Sequence, residues 1–281
     1  MITYKSEKTL IKNLNQLKFN CLSKTVILHS DILNLGFYKK AFTYEENLKF
    51  IHDLILEVFH DFEIIVPTFN YDFLNSKIYD LKKDKAQVGA LNEYFRKKYI
   101  NTRTYTPVFN IVSTNARPSI KKTLSTDPHG EKSFYKTAYN KSFDIIFIGK
   151  FIPSMAHFVE RKINVPYRYY KKFNGKIRYL NGKEKPIKIK YNVRPPFSNL
   201  IETDLNKVIM DLKRNKILFS IEKKNSFIGC YNSKIVVDFW LKKNRLNNLY
   251  FLTRSSKKKV RNLFKKFGYP LNYKRVERSD I

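Results

Sequence analysis

FDIIFIGKFIPSMAHFVERKINVPYRYYKKF, residues 143–173, holds the pattern from which the rest of the chain can be placed. Residues 143–148 form a short apolar run of β-branched and aromatic side chains, and Gly149 ends it, which predicts an interior strand of a sheet. A helix is predicted directly after it. Ser154 is a good N-cap, and Pro153 just before it limits extension upstream. His157 then falls in the first turn and Glu160 one turn later. Residues three apart share a helix face, so imidazole and carboxylate are expected to project together. The positive end of the helix dipole lowers the pKa of a histidine near it, so His157 is expected to be neutral and able to accept a proton. The same spacing also fits a helix with one core histidine and one solvated glutamate.

Working outward, the periodicity alternates between strand and helix. Helices are predicted at 8–19, 45–59, 90–98 and 133–139, with strands at 25–28, 63–66, 108–113 and 143–148. Beyond the histidine helix, Asn181 and Gly182 separate two extended segments within 176–193 and predict a projecting hairpin, placed to lie over a ligand. A helix at 202–213, a closing antiparallel pair at 217–221 and 226–231, and a helix at 236–241 follow. The expected fold is a three-layer α/β/α arrangement around a central mixed sheet, plus the hairpin and a small C-terminal antiparallel and helical extension. Residues 1–281 read as one domain, with a core at about 8–175 and the hairpin and extension at about 176–281.

Of the 281 residues, 55 are Lys or Arg and 24 are Asp or Glu, a formal net charge of +31. Such a field favours anionic partners, whether nucleic acid, an anionic membrane surface or phosphorylated small molecules. Abundant Lys, Asn, Ile, Tyr and Phe beside scarce Gly and Ala offer a second origin for the charge, an AT-rich coding sequence. Residues 255–278 are the densest basic run, and Leu263 and Phe264 within it predict a short helix packed on one edge with its charge solvated. No apolar run approaches the roughly 20 residues of a membrane span, so a soluble cytoplasmic protein is expected. Cys21 and Cys230 are too few for a disulfide framework, and the histidines and cysteines show no metal-ligand spacing. Reduced structural thiols and no metal are expected.

Several segments recur in a fixed order. VILHSDILNLG at 26–36, EIIVPTFNY at 63–71, VGALNEYFR at 88–96, Gly130 with Ser133, the Ser-x-x-His-x-x-Glu of 154–160 and the Asn-Val-Pro-Tyr-Arg of 164–168 lie in register. Together they resemble the aminoglycoside 3-N-acetyltransferase family, and the resemblance spans most of residues 24–193. The resemblance implies an acetyl-coenzyme A co-substrate and direct transfer to an amine, with His157 as general base and Glu160 orienting the ring or binding the acceptor. Glu202 and Asp204 remain alternatives for the orienting carboxylate. It also implies that His29, Ser30, Asp31, Gly36, Thr68, Phe69 and Ser133 lie along the cofactor. Asp31 stands where the family usually has Ser, a poor fit beside phosphate. In RTYTPVFN at 103–110 the chain keeps Arg103 and Pro107 of a family block but has Thr106 and Asn110 where resistance enzymes carry His and Ser. Tyr71, Arg103, Thr106, Asn110, Arg168 and Arg194 are the expected acceptor-side residues, with the three arginines as phosphate or carboxylate anchors.

Because aminoglycosides are polycations that a basic surface repels, the acceptor expected from charge is a nucleotide-linked amino-deoxy sugar for surface polysaccharide. Aminoglycoside modification is the alternative. A nucleic-acid-binding protein is the rival from another class, motivated by Tyr167, Tyr169, Tyr170 and Phe173 among Arg168, Lys171 and Lys172. A covalent acyl-cysteine route through Cys21 or Cys230 is a further rival.

Overall fold

The structure is a computed structural model, and it describes residues 6–35, 43–120, 122, 124–195, 201–223 and 226–276. Helix α1 (Glu7–Phe19) leads into β1 (Thr25–Ser30), followed by the single turn α2 (Ile32–Leu35), α3 (Tyr44–Val58) and β2 (Glu63–Pro67). Helix α3 starts at a capping box, in which Thr43 Oγ1 accepts from the Glu46 amide while the Glu46 carboxylate accepts from the Thr43 amide at 2.7 Å. The short elements α4 (Phe73–Ser76) and β3 (Ile78–Asp80) precede α5 (Ala90–Lys98), β4 (Ile111–Ser113), α6 (Phe134–Lys141), β5 (Asp144–Gly149) and α7 (Met155–Lys162).

The long strands β6 (Tyr169–Arg178) and β7 (Glu184–Val193) come next, then α8 (Leu205–Arg214), β8 (Phe219–Lys223), β9 (Ser226–Asn232), α9 (Ser233–Leu246), α10 (Arg254–Phe267) and α11 (Tyr273–Val276). Six strands form the main sheet in the order β4-β2-β1-β5-β9-β8. Strands β1, β2 and β5 are parallel, whereas β4 and β9 run antiparallel to their neighbours, so the sheet is mixed.

Alternation along the parallel strands builds two cores. Val26, Leu28, Ile64, Val66, Ile146 and Ile148 face α1, α3 and α5, while Ile27, Ile65, Ile145 and Phe147 face α6, α7, α8 and α9. Three layers result. A second sheet, β3-β6-β7, packs its own core around Phe73, Tyr79, Ile177, Ile189 and Tyr191.

Departures from the sequence reading have local causes. The hairpin begins at Tyr169 rather than 176, because Tyr169 already pairs with Val193 and the ladder continues for ten pairs to Arg178 and Glu184. Strand β4 begins at Ile111 rather than 108, since Val108 has φ +65° and makes only a single bridge to Asn70. Helix α9 starts three residues early because the Asn232 side chain caps it, accepting from the amides of Lys234 and Ile235. The pair β8-β9 closes the main sheet beside β5.

From β1 the chain crosses to β2 on one side, while β5 adds on the other, so the C-terminal ends of β1 and β5 flank a topological switch point. The segments after β1, β2 and β5 therefore emerge at one edge. Gly149 closes that edge at φ +103°, where an added Cβ would lie 2.1 Å from the Asp31 carbonyl oxygen. Only glycine fits there.

Candidate active site

Helix α7 carries His157 and Glu160 to this edge. The imidazole is 40% exposed, whereas the carboxylate three residues later is 1% exposed. His157 Nδ1 lies 2.8 Å from Glu160 Oε2. Arg168 Nη2 is 2.7 Å from the same carboxylate oxygen and 2.9 Å from Nδ1. Tyr167 Oη donates to Glu160 Oε1 at 2.6 Å, and Arg194 Nη2 lies 3.4 Å from that oxygen.

Burial pushes the Glu160 carboxyl upward, but Arg168, the His157 hydrogen bond and Arg194 together hold it well below the usual carboxylate range. It is an anion and can only accept. Nδ1 of His157 therefore carries the hydrogen that points at Glu160, and Arg168 satisfies the carboxylate rather than the ring. The Nε2 lone pair is left available. Burial first, and the Arg168 guanidinium second, lower the His157 pKa against the pull of Glu160, so the ring is neutral near pH 7. The sequence reading assigned that neutrality to the helix dipole; here crowding and a neighbouring cation supply it.

Ser154 is not a side-chain cap: its backbone is helical and its hydroxyl makes no cap bond. Instead Ser154 Oγ lies 2.8 Å from His29 Nε2, tying the end of β1 to the start of α7. The His29 ring stacks on Phe147, and burial depresses its pKa to about 4. Of the alternative orienting carboxylates, Asp204 caps α8 through the Lys207 amide and Glu202 is exposed. Of the three carboxylates, Glu160 is the one within hydrogen-bond distance of His157.

Of the described residues expected along the cofactor, His29, Ser30 and Asp31 lie at the end of β1, Thr68 and Phe69 follow β2 and Ser133 precedes α6, and their polar side chains are engaged within the fold. Ser30 Oγ donates to Asn92 Oδ1 at 2.9 Å, and Asp31 caps α2 by accepting from the Asn34 amide. Thr68 Oγ1 donates to Asn110 Oδ1 at 2.6 Å, and Ser133 caps α6 through the Lys136 amide. Phe69 packs in the core against Phe109 and Phe134. Gly36 lies outside the described residues. Main chain is what these turns offer a ligand.

On the acceptor side, Tyr71 is 42% exposed, and Thr106 lines one small cavity with Phe109, Ser125 and Ser133. Asn110 is fully buried. The three arginines expected as anion anchors are turned inward. Arg103 is 1% exposed and donates to the carbonyls of Leu81 and Asp84 and to Asn110 Oδ1. Arg168 and Arg194 hold Glu160, and Nη1 of each donates to a carbonyl, of Asn192 and Ile201 respectively, while Nε of each is buried without a partner. Arg103 and Arg168 are buried and Arg194 is partly buried, and each has acceptors within the protein.

Two neighbours were invisible in the sequence. His129 is buried between Phe109 and Tyr135, with its ring 5.7 Å from that of His157. Asp127 accepts from Arg161 Nε at 2.9 Å beside it. A lone histidine in an Asp-Pro-His-Gly loop has no spacing to betray it. The two cysteines belong to the α1, α3 and α5 face of the sheet, opposite α7, and Cys21 Sγ donates to the Leu17 carbonyl. Contact with Cys230, then burial, pushes the Cys21 thiol far up, the reverse of an activated nucleophile. Among the described residues no His, Cys, Asp and Glu cluster is placed to hold a metal, and no helix is long and apolar enough to cross a membrane.

A sequence profile described as aminoglycoside 3-N-acetyltransferase matches residues 58–243. The chain belongs to the aminoglycoside 3-N-acetyltransferase family. It is thereby an N-acetyltransferase. No curated protein matches it. Among solved structures, it is similar to the apoenzyme of aminoglycoside acetyltransferase AAC(3)-IVa, with 13% identity, 92% of this chain and 95% of that chain covered, and a TM-score of 0.67. It is also similar to the YokD protein from Bacillus subtilis, with 15% identity, 86% and 100% coverage and a TM-score of 0.65. AAC-IIIb in a binary complex with CoASH aligns at 12% identity, 86% and 96% coverage and a TM-score of 0.64. At these identities the three likenesses establish the acetyltransferase fold, and the family's sequence profile takes in the whole of α7 and the strands β2 and β5 that lead to this edge.

Proposed function

We propose that the chain transfers an acetyl group from acetyl-coenzyme A to an amine of an aminoglycoside-class amino sugar, with His157 as the base. The observation that carries the reading is a half-exposed neutral imidazole whose inner nitrogen is fixed on a buried carboxylate. His157 Nε2 takes a proton from the attacking amine as the new C–N bond forms. Glu160 stabilises the resulting imidazolium through Nδ1–H, and the ring returns the proton to the departing thiolate as the C–S bond breaks. Atoms and charge balance without a covalent enzyme intermediate. The CoASH complex of AAC-IIIb supports the donor, and structures of AAC(3)-IVa with apramycin and with a gentamicin support the acceptor class.

A second reading, a nucleotide-linked amino sugar, is favoured by the net charge of +31 and by Thr106 and Asn110. It loses its phosphate anchors, because Arg103, Arg168 and Arg194 are all engaged inside the fold. Thiol release from acetyl-coenzyme A decides between them when measured with aminoglycosides and with nucleotide-linked amino sugars. Turnover with the first panel alone supports the aminoglycoside reading, and turnover confined to the second replaces it.

A further inference from the structure

Helices α3, α8 and α9 each pair one surface lysine with an acid one turn on: Lys49 with Asp53, Lys207 with Asp211 and Lys234 with Asp238, each within 2.8 Å. Helix α10 does the opposite. Residues 254–276 hold nine Lys and Arg and no Asp or Glu, and among the described residues none of the nine forms an ion pair. Arg254, Lys258, Arg261 and Lys265 recur at helical spacing on one exposed face, a stripe about 16 Å long at 1.5 Å per residue. Like charges one turn apart oppose the helix, and cations in its first turn oppose the dipole. The arrangement costs stability unless something outside neutralises it.

The opposite face is fixed. Val260 and Phe267 are buried, and Leu263 and Phe264 pack on the clusters that contain Tyr167 and Tyr169. The Leu271 amide donates to the Pro166 carbonyl at 2.9 Å, beside the segment that supplies Tyr167 and Arg168 to the active site. Tyr269 and Tyr273 stand exposed beyond the C-terminal end of the stripe.

We propose that the outer face of α10 docks on an anionic phospholipid bilayer and holds the enzyme peripherally on the membrane. A single convex helix face presents its long side chains together to a broad planar polyanion, whereas a nucleic-acid strand is held by a groove with stacking platforms. With the apolar face of α10 packed into the protein, adhesion is electrostatic and nothing inserts, so it is released by salt.

The test is co-sedimentation of the full chain with vesicles of phosphatidylcholine alone and of phosphatidylcholine mixed with phosphatidylglycerol. Binding to the mixed vesicles only, reversed by salt, is expected. Lys258→Glu, Arg261→Glu and Lys265→Glu combined should weaken it roughly 100-fold, with a thermal midpoint that does not fall. Lys12→Glu, Lys97→Glu and Lys183→Glu combined, exposed positions elsewhere with the same change in net charge, should weaken it only a few-fold. The proposal fails if the mixed vesicles do not bind, or if both triple variants lose binding equally. It fails also if an RNA or DNA oligonucleotide binds more tightly than the vesicles and depends on the same α10 residues.

Discussion

His157 Nδ1 and Glu160 Oε2 lie 2.8 Å apart, one ring half-exposed and the other group sealed from solvent. This pairing fixes the tautomer and, in the proposed mechanism, gives the imidazolium a counter-charge as it forms. Glu160→Gln keeps the shape but removes that charge and leaves the Arg168 and Arg194 guanidiniums without it. Acetyl transfer should fall about 100-fold with little change in donor KM, as steady-state thiol release would show. An unchanged kcat would assign Glu160 to architecture alone.

The pH profile follows from the direction of the His157 shift. Its pKa is lowered from 6.5, so the base form survives at neutral pH and activity declines only on the acid side. Arg168 is one cause of the lowering, and removing a cation stabilises the imidazolium. Arg168→Gln should therefore move the acid limb of kcat to higher pH, measured across about pH 4 to 8. A shift to lower pH would contradict the geometry.

His29 ties β1 to α7 as a neutral ring whose pKa is about 4 in the folded chain, against 6.5 ordinarily. The unfolded chain binds that proton first as pH falls. The corresponding stability is present above about pH 6.5 and is lost as pH drops toward 4, up to about 3 kcal/mol. Urea unfolding of the wild type and of His29→Gln at neutral and acid pH should show the variant losing less stability on acidification. Parallel losses would remove His29 from the explanation.

Arg103 lies over the Tyr79 ring and donates to buried carbonyls and to Asn110. Arg103→Met leaves those acceptors unpaired and should cost about 3 kcal/mol, seen as a lowered thermal midpoint. Lys at this position should not restore it, since one ammonium cannot reach the acceptors of a guanidinium fork. A stable variant with altered acceptor KM would return Arg103 to the substrate.

The parallel core was legible because the strands at 63–66 and 143–148 are apolar runs and α3 and α5 carry clear helical periods. The His157 and Glu160 pair was legible because helical spacing alone puts the two on one face. The partners of Glu160 were not. Tyr167, Arg168 and Arg194 reach it from the loop before β6 and from just past the end of β7, positions that only the tertiary fold brings together. The arginines looked like anion anchors because a sequence shows a charge but not its neighbour. Ser154 looked like a cap for the same reason, its true partner being His29, 125 positions away.

The central claim is that His157 Nε2 removes the acceptor proton. Steady-state release of the coenzyme A thiol by His157→Ala, with acetyl-coenzyme A affinity measured alongside, tests it most directly. The expected result is a loss of kcat of about 10²–10⁴-fold with donor binding intact. Near-normal turnover in that variant would contradict it.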